Sequence, residues 1–68
     1  MTKIAEARRS LGLNGFQFAV KTGIHPAHIS RIENRRAVPS KNMKAAILKA
    51  LHLTEEEGFD ENGLARKQ

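Results

Sequence analysis

The chain has 68 residues, the size of one small domain that buries only about 60% of its unfolded surface and cannot readily enclose a catalytic cleft. It has no cysteine, so disulfides and thiolate metal sites are excluded and a reducing cytoplasm is the expected setting; no apolar run reaches a bilayer span, and the N-terminus lacks a signal-peptide core. The net charge of +5 is uneven, since residues 1–53 hold ten Lys or Arg against two acidic residues (+8) and residues 54–68 hold two against five (−3). Such a balance suits a polyanion on the basic body and a different surface at the acidic end.

The pattern predicts an all-α chain of five short helices within a single domain, residues 1–68, with no linker, repeat or low-complexity stretch. The first helix runs from about Thr2, its N-cap, to Leu11, with Ile4, Ala7, Arg8 and Leu11 on one stripe before Gly12 stops it. Asn14 caps the second, and Gln17 three residues later completes a capping-box pattern. Pro26 fits the first turn of the third, where its missing N–H costs nothing. After a loop over 35–39, Ser40 caps a fourth helix with a stripe of Met43, Ala46, Ile47, Ala50 and Leu51. Thr54 and Glu57 form another capping box, opening a short fifth helix that Gly58 ends. Residues 59–68 read as an irregular tail from which Phe59 and Leu64 can tuck onto the core.

Residues 15–34 suit two helices packed across a tight turn, a unit with which many small proteins read DNA. Ala19 supplies the small side chain where the backbones approach, and Gly23 the positive φ of the turn. Phe18, Ile24, Ile29 and Ile32 support the turn from inside, while Ala27, His28, Arg31 and Arg35 are left for something outside the protein.

Over residues 4–53 the string GLNGFQFAVKTGIHPAHISRIENRRAVPS resembles the Cro/C1-type (XRE-family) helix-turn-helix domain, with ISRIEN, a basic loop and PS its most specific piece. The resemblance implies a five-helix, lambda-repressor-like domain working as a homodimer on a palindromic operator, with the third helix in the major groove. It places base contacts on His25, Pro26, Ala27 and Arg31. It places backbone phosphate contacts on Asn14, His28, Asn34, Arg35 and Arg36, with Gln17 and Ser30 beside them. Arg31 is the best base reader, since a guanidinium donates two parallel bonds to guanine O6 and N7. The resemblance also implies an ion pair between Arg8 and Glu33, and a charge on the apolar stripe of the first helix needs such a partner.

Three positions depart from that family's pattern. Pro26 stands where a polar residue is common and has no donor; Gly15 replaces a glutamine, and Gln17, roughly 200° further around the helix, reads as a cap. Phe16 and Val20 occupy places that are usually polar. Being i and i+4, they form one apolar strip that either leans on the first helix, stands as isolated exposed residues, or contacts a second protein.

His25 and His28 make half of a zinc site, with no carboxylate or cysteine nearby to complete it, and no serine or carboxylate forms a relay with either ring. No metal, cofactor or enzymatic activity is therefore expected. The leading expectation is a sequence-specific regulator of double-stranded DNA, a dimeric repressor of phage, mobile-element or bacterial origin. A second is the antitoxin of a toxin–antitoxin pair, holding a protein partner through Phe16 and Val20 or the acidic end. A third is a basic RNA-binding or purely interaction module, and three Phe with no Trp or Tyr argue against base-stacking recognition of single strands.

Overall fold

The computed structural model describes residues 1–68 and contains five helices: α1 (Lys3–Ser10), α2 (Gly15–Thr22), α3 (Pro26–Glu33), α4 (Lys41–Leu51) and α5 (Glu55–Gly58). Each start is held by a side chain that accepts from a free N–H of the first turn. Thr2, Asn14, Ser40 and Thr54 do this with oxygen, as the sequence predicts, and both capping boxes close. At α3 the acceptor is a histidine ring, which the sequence did not suggest: Nδ1 of His25 takes the N–H of Ala27 at 3.1 Å.

Ile4 of α1, Phe18 and Ala19 of α2, Ile29 and Ile32 of α3 and Ile47, Ala50 and Leu51 of α4 meet in one apolar core, with Ile24, Phe59 and Ala65 closing it. α2 packs on α3 and α4, while α1 packs on α4 and α5. Gly23 has the left-handed backbone expected of it, at φ 74°, and caps α2 by donating to the Ala19 carbonyl. Ala19 is buried at the crossing.

One stripe residue falls elsewhere. Leu11 is 47% exposed because it lies past the last helical residue, where the chain bends toward Gly12 and the 3.6-residue repeat no longer applies; Ala5 is buried instead.

Residues 59–68 form no helix or strand but are tied down. Phe59 bridges Ala65, the Asp60 N–H donates to the Leu64 carbonyl at 2.8 Å, and Thr2 bridges Lys67. The core residue of this segment besides Phe59 is Ala65, fully buried, whereas Leu64 is half-buried. Bonds to Gly58 and Leu64 turn the chain so that Ala65 faces inward. Gly58 is a point of close approach: a Cβ there would stand 2.8 Å from Leu48 Cδ2 and 3.4 Å from Ile4 Cγ2. No helix is long and apolar enough to cross a membrane.

Candidate nucleic-acid interface

The placement of α3 begins with its ends. Pro26 restricts the residue before it to extended backbone. His25 accordingly has φ −58° and ψ 139°, the geometry from which its ring reaches back to cap the helix. At the other end Glu33 is held twice, by Arg8 of α1 and by Thr2, the cap of α1. The Arg8 guanidinium grips its carboxylate with Nε at 2.7 Å and Nη2 at 3.2 Å, and the Thr2 hydroxyl donates to its backbone carbonyl at 3.0 Å.

Arg8 also donates from Nη1 to the Leu13 carbonyl at 2.8 Å, so one guanidinium joins α1, the turn before α2 and the end of α3. The expected ion pair is present, with both side chains about 10% exposed. The Thr2 and Leu13 contacts were not legible, because nothing in local spacing links residues 31 or 5 positions apart through a hydroxyl or a carbonyl.

With Ile29 and Ile32 turned into the core, α3 leaves Pro26, Ala27, Ser30 and Arg31 exposed, and His28 half-buried. Ala27 and Arg31 are four apart and share a face. No internal hydrogen bond or ion pair holds the side chain of Arg31, His28 or Arg36, whereas the cations of Arg8, Arg35 and Lys44 are all paired with carboxylates. Ser30 and Asn34 are engaged with each other: Asn34 caps the end of α3 and its Nδ2 donates to the Ser30 carbonyl at 2.9 Å.

At the start of α2, Asn14 Oδ1 accepts from the Gln17 N–H and Gln17 Oε1 accepts from the Asn14 N–H, both at 2.8 Å. Each amide thus uses its oxygen inward. Its NH₂ end is left to solvent as a donor, beside the positive end of the helix dipole. Capping and a phosphate contact are compatible at both residues for this reason.

Arg35 is not on α3, which ends at Glu33. It is left-handed at φ 61°, a conformation in which its N–H reaches the Ile32 carbonyl and the Arg36 N–H reaches the Arg31 carbonyl, closing the helix end. Its side chain is bound to Asp60 at 3.2 Å and is 27% exposed, so it is less available than Arg36. The sequence missed this pair, whose members lie 25 positions apart. Burial pushes the Asp60 carboxyl up, but bonds from the Leu64 and Asn62 N–H groups, with Arg35 and Arg66 nearby, hold it below its ordinary value of 3.8. Asn34 and Arg35 also line an open polar groove with Thr2, Arg8, Arg9 and Lys67.

Phe16 and Val20 are each 68% exposed, so neither leans on α1. No group of three or more His, Cys, Asp or Glu side chains is placed to hold a metal ion. The arrangement offers hydrogen-bond donors and positive charge from the start of α2, from α3 and from the loop after it.

A family model described as a helix-turn-helix domain matches residues 2–58. No curated protein matches the chain. Neither does any solved structure.

Proposed function

We propose that this chain, which belongs to the helix-turn-helix domain family, is a sequence-specific regulator of double-stranded DNA of the Cro/C1 type, working in the cytoplasm as a homodimeric repressor on a palindromic operator. The observation that carries the reading is the contrast along α3. Its N-terminus is closed by its own His25 cap and its C-terminal Glu33 is fixed to Arg8 and Thr2, while Arg31 and the exposed side chains around it have no internal charged partner.

In this reading α3 lies in the major groove and Arg31 donates to guanine O6 and N7, with Ala27 against a thymine methyl. Asn14, Gln17, His28, Ser30, Asn34, Arg35 and Arg36 face the phosphates, and Arg36 contributes more than the paired Arg35. Pro26 touches bases only by shape. Repression follows from covering promoter DNA and needs no cofactor.

Footprinting on random-sequence and promoter-proximal duplexes tests this. The expected result is protection of an imperfect two-fold repeat with half-sites about 34 Å apart. The affinity should fall with a log–log salt slope of about −5 to −7. A correctly folded protein with no preferred duplex at modest ionic strength overturns the reading.

One observation favours a second reading, the antitoxin of a toxin–antitoxin pair: the strip of Phe16 and Val20 stands in solvent on a helix whose opposite face is core. Co-purification of a second polypeptide, lost in Phe16→Ser and Val20→Ser, would support it.

A further inference from the structure

His25 was expected among the base contacts, yet the structure gives its ring an internal task. A backbone N–H only donates, so the 3.1 Å bond from Ala27 fixes Nδ1 as an acceptor with its lone pair directed at the helix. A neutral imidazole carries one proton. With Nδ1 committed, that proton is on Nε2, across the ring from the cap and in an exposed side chain with no other partner.

Resting on the DNA-binding reading above, we propose that His25 is a specificity-determining residue that meets one base of each operator half-site as an obligate hydrogen-bond donor. Guanine presents N7 and O6, adenine N7 and thymine O4 as acceptors in the major groove; cytosine presents only its N4 donor. His25 therefore admits guanine, adenine or thymine at the contacted base and rejects cytosine.

Three features direct the ring to a base rather than a phosphate. The N-terminal residues of a groove-inserted helix are the ones aimed at base edges. The next two residues, Pro26 and Ala27, offer no side-chain donor, and His28 is half-buried, so His25 is the exposed side-chain donor at this end of α3. Finally, Pro26 holds His25 in extended backbone, and the cap holds the ring, so the donor is preset in direction. The proline that weakens direct readout at its own position thereby serves its neighbour.

The test uses the full chain, its His25→Ser and His25→Ala variants, and a duplex selected from a random pool by the parent, then substituted at one base pair at a time. Serine is a good N-cap but too short to replace the ring. His25→Ser should melt with the parent and His25→Ala below it. At one position per half-site, cytosine should weaken the parent about tenfold, within the usual range for a wrong base pair, and the His25→Ser variant less than about twofold. A role in capping alone would move the melting temperature of His25→Ala and leave the base profiles unchanged.

Identical base profiles for parent and His25→Ser on a well-defined operator overturn the assignment while leaving DNA binding in place. A parent that selects no duplex overturns the DNA-binding reading, and this proposal with it. Independently of DNA, nitrogen NMR of the neutral ring should find the proton on Nε2; a proton on Nδ1 overturns the proposal directly.

Discussion

The unit of α2 and α3 and the acidic segment from Thr54 onward use their polar groups in opposite directions. In the closing segment several polar side chains are engaged with the rest of the fold, although most of its residues are exposed. Glu55 meets Lys44 at 3.2 Å, Glu57 accepts from the Thr54 N–H, Asp60 binds Arg35, and Arg66 donates to the Glu56 and Phe59 carbonyls. In the α2–α3 unit the N-terminal caps turn acceptor atoms inward and leave donors outside, and Arg31 has no internal partner. A run of negative charge that reads in sequence as a separate binding surface thus commits Glu55, Glu57 and Asp60 to internal contacts, leaving Glu56 and Glu61 in solvent. The free basic face lies elsewhere, on elements with capped N-termini and, at Glu33, an end clamped to Arg8.

The comparison is broken most forcefully at the ion pair that pins α3 to α1. Glu33→Ala or Arg8→Ala should cost about 3–5 kcal/mol in denaturant unfolding, because the survivor is left as an unpaired, mostly buried charge. Unfolding at the parent's midpoint would show that the pair does not hold α3. Sharpening comes next from Arg31→Ala, which should remove about 1–3 kcal/mol of discrimination at one operator position and leave the melting temperature alone. Arg36→Ala should instead weaken every duplex alike and reduce the salt slope by about 1.

Arg35 belongs to both regions, since its backbone ends α3 and its side chain serves the acidic segment. Arg35→Ala and Arg35→Gly both lose the ion pair, but only alanine keeps the left-handed strain. The glycine variant should therefore be the more stable by about 1–2 kcal/mol in thermal unfolding. Equal stabilities would mean that the helix end has rearranged. The smallest effect is expected at Phe16→Ser and Val20→Ser, within about 0.5 kcal/mol of the parent, as both side chains stand in solvent. If either variant changes dimerisation or capture of a second polypeptide, the strip is a protein contact.

Local signals made much of this legible. The caps Thr2, Asn14, Ser40 and Thr54, the turn at Gly23 and the inward faces of Ile29 and Ile32 all follow from spacings of four residues or fewer, and the structure places them as read. The ion pair of Arg8 and Glu33 came from resemblance to a family, since a charge on an apolar stripe demands a partner without naming it. Leu11 was misplaced because periodicity carries no information on where a helix stops within its last turn. The tail was opaque for another reason. Its order depends on Ala65, a small residue with little hydropathy signal, and on bonds to Thr2, Lys3 and Gly58 that only the folded chain brings near. His25 is not legible as a cap because its Nδ1 accepts only in the tautomer that carries the proton on Nε2, a property invisible in residue type.

A cap at its start, Ile29 and Ile32 in the core and a clamp on Glu33 make α3 a preformed rod, ordered before any duplex arrives. On the DNA-binding reading, the heat-capacity change of association should then match the apolar area dehydrated, with no added contribution from coupled folding of the helix. Mismatch between rod and groove must be absorbed by the nucleic acid, whose stiffness at uncontacted steps becomes part of the selection.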